Sequence, residues 1–280
     1  MSSNINRENF IRSLVDLLRK AETELPEDVI NELEKARNKE ASPIAKAQLE
    51  AILKNIDIAK KHSVPMCQDT GIMIFFVEIG RELRLDFDLE AALKEAVRKA
   101  TKEIPLRPNA VDPLTRKNDG DNIGVGIPDI NYSFVPGKTL KITVAPKGAG
   151  SENMSALKML NPTEVEGIKA FVLETVINAG GMPCPPITLG IGIGGSFDKS
   201  ARLAKKALLR ALDTPMDAFE QEILEAVNAL GIGSMGLGGS TTALAVHIEK
   251  AHCHTASLPV AVNIQCWANR HASLVLGGED

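Results

Sequence analysis

The chain has 280 residues, 44% of them hydrophobic and 24% charged, which is enough apolar material for one or two globular domains. A formal net charge of -4 argues against nucleic acid or an anionic membrane surface as the main partner, leaving small molecules or other proteins. No apolar run nears the roughly 18 residues that span a bilayer, and the start, Met1 to Glu8, lacks the apolar core of a signal peptide, so the chain reads as cytoplasmic.

Three helices are predicted first: Asn6 to about Leu25, Pro26 to about Lys39, and Ser42 to His62, the last with Ser42 as N-cap and Pro43 at the first helical position. They make a helical lobe of residues 1–66. Cys67-Gln68-Asp69-Thr70-Gly71 follows, packing a soft ligand, an amide, a carboxylate and a turn glycine into a loop, and loops held by rigid elements are where catalytic groups sit. The apolar run Ile72 to Ile79 reads as a strand, and Asp88 caps an amphipathic helix to about Glu103. From Pro105 to Pro128 proline, asparagine, aspartate and glycine dominate, and a loop that long is functional or disordered.

Strand and helix signals then mix. Leu140 to Val144 alternates as a half-buried strand, Thr163 and Glu166 have capping-box spacing for a helix to about Asn178, and Pro186 to Ile191 is a short apolar strand. Asp198 is placed to cap a helix through Arg210, Pro215 to open one reaching Leu230, and Thr241 to Ile248 and Leu258 to Gln265 read as strands. The fold class is therefore α+β (mixed α/β), with the helical lobe followed, over residues 67–280, by a mixed sheet with flanking helices. There is no internal repeat.

Several segments carry candidate chemistry. Gly190-Ile191-Gly192-Ile193-Gly194-Gly195 fits G-x-G-x-x-G between strand and helix, the setting of a dinucleotide phosphate site. A similar spacing recurs at Gly231, Gly233 and Gly236 after a helix, and neither opens a series of βα units, so glycines that let backbones approach are the competing reading. Lys147 to Asn153 is a turn or a nest of amides for an anion, with Lys147 and Ser151 as added donors. The four cysteines, Cys67, Cys184, Cys253 and Cys266, include no C-x-x-C pair, which argues against a zinc ribbon. Cys67, Cys184 and Cys266 lie at strand ends, where distant thiols can converge, while each alone reads equally as an inert core thiol. His252-Cys253-His254 is a rival zinc site, weakened because successive side chains on an extended chain alternate sides. His254 reads better as a polar active-site group, and His62 and His271 as surface residues.

Together, Cys67 to Gly71, Lys147 to Asn153, Gly192-Ile193-Gly194-Gly195-Ser196-Phe197-Asp198 and His254 with Cys266-Trp267-Ala268-Asn269-Arg270 resemble the α-type catalytic region of the iron-sulfur hydro-lyases, the class I fumarate hydratases and L-tartrate dehydratases, over nearly the whole chain. The resemblance implies one catalytic domain over residues 1–280 and a 4Fe-4S cluster held by Cys67, Cys184 and Cys266, with Cys253 outside the set. Three thiolates leave one iron open as a Lewis acid. It further implies that Gln68 and Asp69 face the substrate with Asp69 in proton transfer, that Arg107 grips a substrate carboxylate, that Gly150 offers its backbone, and that His254 gives a hydrogen bond.

The implied activity is reversible hydration of fumarate to malate, as in the tricarboxylic acid cycle, with L-tartrate dehydration or mesaconate hydration as the alternatives. A dinucleotide enzyme and a zinc scaffold are the readings from other classes. Single-chain fumarases of this class continue into a second domain, whereas this sequence ends at Asp280. A separate β subunit is therefore expected to complete the site in a hetero-oligomer, at least α₂β₂, with no nucleic acid or membrane partner.

Overall fold

Asn6 starts the first helix by accepting hydrogen bonds from the backbone N–H groups of Glu8 and Asn9, at 3.0 and 3.2 Å, which satisfies donors that a helix leaves unpaired. Helix α1, Arg7–Thr23, then buries Phe10, Leu14, Leu17, Leu18 and Ala21 at steps of three and four, one helical face. The computed structural model describes residues 5–277, so residues 1–4 of the segment read for a leader lie outside the described residues. The chain divides into two units: Met1–Leu25, Ile56–Gly148 and Arg270–Asp280 form the first, and Pro26–Asn55 and Ala149–Asn269 the second.

In the first unit α1 packs on α4, Leu89–Glu103, which Asp88 caps by accepting from the Ala91 N–H at 2.9 Å. Small residues on α4, Ala92, Ala96 and Ala100, let the two helices come close. The sheet beside them contains β1 (Ile72–Gly80), β2 (Asp129–Val135), β3 (Leu140–Lys147) and β8 (Ala272–Leu276) in the order β2-β1-β3-β8. Strands β1 and β2 run parallel and the other pairs antiparallel. Phe75, Val77, Leu140, Ile142 and Val144 join the helices in one apolar core.

The second unit holds α2 (Glu27–Lys39), the single-turn α5 (Ala149–Glu152), α6 (Gly167–Ala179), α7 (Phe197–Ala207) and α8 (Ala218–Ala229). Its sheet runs β4-β7-β5-β6, formed by β4 (Ala156–Leu160), β5 (Ile187–Ile193), β6 (Ala243–Lys250) and β7 (Leu258–Gln265), with β5 and β6 parallel. Val172, Val176, Leu189, Ile191, Ile223, Val227, Val246 and Val262 fill its core. Helix α3, Pro43–His62, runs through the division, so the amino-terminal helices are shared between the units. No helix among the described residues is long and apolar enough to cross a membrane.

The expected mixed α+β architecture is the one observed, with local differences. Strands β2, β4 and β8 have no counterpart in the sequence expectations. Each lies at a sheet edge, where one-sided burial blurs the apolar pattern, as in the exposed Ser133 and Phe134 of β2. Thr163 and Glu166 form no capping box. Instead Glu164 accepts from the Asn161 N–H at 2.9 Å one turn earlier, and α6 starts at Gly167 without a side-chain cap. Asp198 lies inside α7, accepting from Ser196 Oγ at 2.6 Å, and α7 ends at Ala207 rather than Arg210. Asp217, not Pro215, opens α8, in a reciprocal capping box with Glu220.

The glycines of G-x-G-x-x-G have a packing role. Gly190 and Gly192 lie within β5, and a Cβ on them would stand 2.1 Å from Ala204 O and 2.0 Å from Ser200 O, so the backbone of α7 rests directly on the strand. A phosphate loop would carry these glycines beyond the strand end, facing a ligand. Gly192→Ala is expected to destabilise the second unit by about 3 kcal/mol, because neither backbone can yield cheaply. Thermal unfolding should register this as a midpoint lowered by roughly 6–12 °C, and an unchanged midpoint would show the helix is not held so tightly.

Candidate active site

The pentapeptide between α3 and β1 is fixed from several directions within the first unit. Gly71 has φ +73° and a Cβ there would lie 2.7 Å from the backbone of Lys147, the cross-strand partner of the next residue, Ile72, so only glycine suits the turn into β1. Asp69 Oδ1 accepts from the Gly71 N–H at 2.9 Å, closing an Asx turn. Asn109 Nδ2 donates to Gly71 O at 3.1 Å and reaches Asp69 Oδ1 at 3.4 Å. On the other side Gly148 lacks the Cβ that would stand 2.9 Å from Asp69 Oδ2. The carboxylate is half-buried and its orientation is set by the chain around it.

The same contacts bring Arg107 to this site. Buried Thr70 Oγ1 accepts from the Arg107 N–H at 3.1 Å, and Asn122 Nδ2 donates to Arg107 O at 2.9 Å. Asn122 Oδ1 accepts from the N–H of Asn109 at 2.6 Å, pinning the irregular segment back on itself. The segment from Pro105 to Pro128 is therefore an ordered scaffold that holds the backbone of Arg107 against Thr70 and leaves this residue exposed. Thr70, Asn109 and Asn122 hold no role in the sequence reading. The only local signal is that asparagines recur near Arg107, and the partners of the three residues lie 12 to 40 residues away.

Arg270 closes the site from behind. Its Nη2 donates to the backbone carbonyl of Asp69 at 2.5 Å, and its Nη1 lies 3.1 Å from Glu22 Oε2. Glu22 is fully buried and Arg270 is 4% exposed. The Glu22–Arg270 distance is that of an ion pair, yet neither facing atom has hydrogen-bond geometry, so the charges attract without a directional bond. Burial pushes the Glu22 carboxyl up, the Arg270 charge pulls it down and Asp69 raises it, leaving it at about 7 from an ordinary 4.5.

A stability consequence follows with a definite sign. Between pH 4.5 and about 7 the folded chain keeps a proton on Glu22 that the unfolded chain has lost, so this group's contribution falls as pH rises through that window. The fall is about 3 kcal/mol in the metal-free chain. Urea unfolding at about pH 5 and about pH 8 should show a smaller difference in Glu22→Gln than in the parent chain; equal differences would refute the assignment.

Three of the four thiols, Cys184, Cys253 and Cys266, lie in the second unit. Cys184 sits at φ +54°, a left-handed conformation unusual for a residue with a Cβ, and its carbonyl accepts from the Trp267 N–H at 3.2 Å. That bond places Cys184 next to the segment carrying Cys266, directly after β7. Gln265 Nε2 lies 3.8 Å from Cys266 Sγ and donates to Ala268 O at 2.9 Å, ordering the turn. Cys184 and Cys266 are half-buried, as is Cys67 in the first unit, whereas Cys253 is exposed, and none of the four is in a disulfide. Among the described residues no three His, Cys, Asp or Glu side chains stand grouped as they would around a metal ion.

Gly150 is exposed on α5, whose Glu152 pairs with Lys205 and accepts from Asn263 Nδ2 at 2.9 Å. Lys147 and Ser151 are both buried. Strand β3 runs on to Lys147, past the expected Leu140 to Val144, and the Lys147 side chain is buried. His254 is exposed in the loop between β6 and β7. Its Nδ1 accepts from the Ala256 N–H at 3.0 Å, which leaves the proton of the neutral ring on Nε2. Gln68 is exposed beside Asp69, His62 is exposed, and His271 is half-buried.

The chain belongs to the fumarate hydratase (Fumerase) family, whose model matches residues 11–275, and is thereby a lyase of the α-type hydro-lyase class. A putative L(+)-tartrate dehydratase subunit alpha of Methanocaldococcus jannaschii is 54% identical over 269 residues, covering 92% of this chain and 94% of that protein. An L(+)-tartrate dehydratase subunit alpha of Escherichia coli O157:H7 is 34% identical over 287 residues, covering 99% and 95%. Its counterpart in Escherichia coli K12 is likewise 34% identical over 287 residues, with the same coverage.

Proposed function

We propose that residues 1–280 form the catalytic α subunit of a 4Fe-4S hydro-lyase that hydrates fumarate to malate reversibly, working in the cytoplasm with a separate β subunit in a hetero-oligomer. The observation that carries this reading is the fixed Asp69 carboxylate two residues from Cys67, with Arg107 stitched beside it through Thr70. The donor set suits the cluster. A cubane iron-sulfur cluster takes thiolates, and three of the four thiols are half-buried, two of them on backbones joined by the Cys184–Trp267 bond. Cys67, Cys184 and Cys266 would hold it, and Cys253, exposed, would not.

When bound with three thiolates, such a cluster supplies an open iron as a Lewis acid for the substrate hydroxyl and carboxylate. The chain's own residues do the rest. Arg107 presents a planar pair of donors to the second carboxylate of the substrate, a geometry that fits bidentate recognition. Asp69 exchanges a proton with the substrate at Oδ2, on the side where Gly148 leaves room, while Oδ1 stays engaged with Gly71. Gln68 and the bare backbone at Gly150 lie against substrate, and His254 donates from Nε2. The donors left for the other half of a dicarboxylate come from the β subunit, so the α subunit alone turns over little.

L-tartrate is the second reading, favoured by the names of the relatives, as fumarate is by the family match. L-tartrate carries one hydroxyl more than malate, the hydrated form of fumarate, and a pocket built to bind that group rejects a substrate lacking it strongly. Anaerobic reconstitution of the α chain with its β partner, then assay on fumarate, L-tartrate and mesaconate, decides between them. Fumarate should give the highest kcat/KM, with about four iron and about four acid-labile sulfide per α chain. Turnover of none of the three, or iron without sulfide, would refute the reading.

A further inference from the structure

Glu22 is a fully buried carboxylate that the proposed chemistry does not use, and its side-chain oxygens have no hydrogen-bond partner among the described residues. It stands in the last turn of α1, far in sequence from the pentapeptide, yet is linked to it by two routes, through the preceding Met66 and through Arg270. Its backbone carbonyl accepts from the Met66 N–H at 3.0 Å. Its carboxylate faces Arg270 Nη1 at 3.1 Å, and Arg270 Nη2 donates to Asp69 O at 2.5 Å. The stretch that carries Cys67 and Gln68 is thus held at Met66 on one side by Glu22 and at Asp69 on the other by Arg270, the residue that Glu22 faces.

We propose that Glu22 and Arg270 are positioning residues for the Asp69 loop, with Glu22 aiming the Arg270 guanidinium at the Asp69 carbonyl so that the Asp69 carboxylate keeps its direction.

A buried guanidinium held only by a carbonyl would be free to turn about its own axis. The Glu22 carboxylate, 3.1 Å from Nη1 while Nη2 donates to the carbonyl, restrains that turn by charge attraction on a second nitrogen of the planar group. A buried ion pair is a poor source of net stability but a means of fixing one geometry, since every other arrangement leaves a charge buried alone. Lysine at position 270 has one charged point and cannot reach both partners, so Arg270→Lys tests the two-edged geometry rather than the charge. This inference rests on the reading of Asp69 as the proton-transfer group, and it adds residues that never touch substrate.

The test uses Glu22→Gln, Arg270→Lys and a Glu22→Gln/Arg270→Met pair, the last as a charge-free control should a single variant fold poorly. In the full chain assembled with its β partner, each single variant should lower kcat at least about 10-fold with KM changed less than about 2-fold and iron content unchanged. The double variant should be no worse than the worse single one, since both act through one contact. Wild-type kcat in Glu22→Gln, or multiplying effects in the pair, would overturn the proposal. A second measurement does not depend on turnover. In the metal-free chain, amide exchange over residues 66–71 should speed at least about 10-fold in Glu22→Gln while β3 keeps its protection. Exchange that rises equally in β3 would show a general loss of stability and would overturn positioning. If the parent assembly turns over no dicarboxylate, the hydro-lyase reading fails, and the exchange measurement still decides the loop's anchoring.

Discussion

A chain carrying Cys266→Ser is expected to lose its iron and acid-labile sulfide on anaerobic reconstitution, and with them all turnover, while Cys253→Ser keeps both. The ground is the difference in surroundings. Cys266 is half-buried directly after β7, its turn ordered by Gln265 and Ala268, and its neighbour Trp267 is bonded to Cys184. Cys253 is exposed in the β6–β7 loop. A serine oxygen in place of a soft thiolate is a poor iron ligand in a sulfur-rich cluster. With only two thiolates left the cluster has no stable seat. Iron and sulfide analysis with visible absorption reads the outcome directly, and loss in Cys253→Ser with retention in Cys266→Ser would refute the ligand set.

Asp69→Asn should be the most damaging change that leaves the cluster in place. Asparagine keeps the shape of aspartate and an oxygen able to accept from the Gly71 N–H, so the turn into β1 should survive. What it removes is the ability to take and return a proton at Oδ2. General acid–base groups contribute about 10²–10⁴-fold, so kcat should fall by that factor while KM and iron content change little. Gly148→Ala reaches the same carboxylate from outside, because its Cβ would stand 2.9 Å from Oδ2. A kcat for Asp69→Asn within about 3-fold of the parent would remove Asp69 from the proton-transfer role.

The helices were legible where their signals are local. Asn6, Asp88 and the Ser42-Pro43 start lie within four residues of the donors they serve or the turn they open, and the apolar steps of α1 and α4 repeat within one face. The edge strands β2, β4 and β8 were not legible, because a strand buried on one side and paired on one edge needs no clean alternation. The glycines of β5 were visible as a motif, but their use was not. The phosphate-loop spacing and the demand of α7 for a bare backbone look alike in one dimension, and only the 2.0 and 2.1 Å approaches separate them.

The sequence by itself determined the kinds of chemistry available: a thiol, an amide and a carboxylate in one turn, three cysteines spread so that no local zinc site forms, and an arginine in a segment too irregular for regular structure. It also carried enough of the ordered motifs to mark the family. The tertiary structure alone decided which way those groups are held. Arg270 reaches Asp69 across 201 residues, Asn109 reaches it across 40, and Glu22 faces Arg270 from the far end of the chain. Hydrophobic periodicity and capping act over a few residues and are written in order along the chain. A buried ion pair or a carbonyl contact between distant segments exists only after the sheet and helices have removed water and fixed the distances, so it leaves no periodic trace in the sequence.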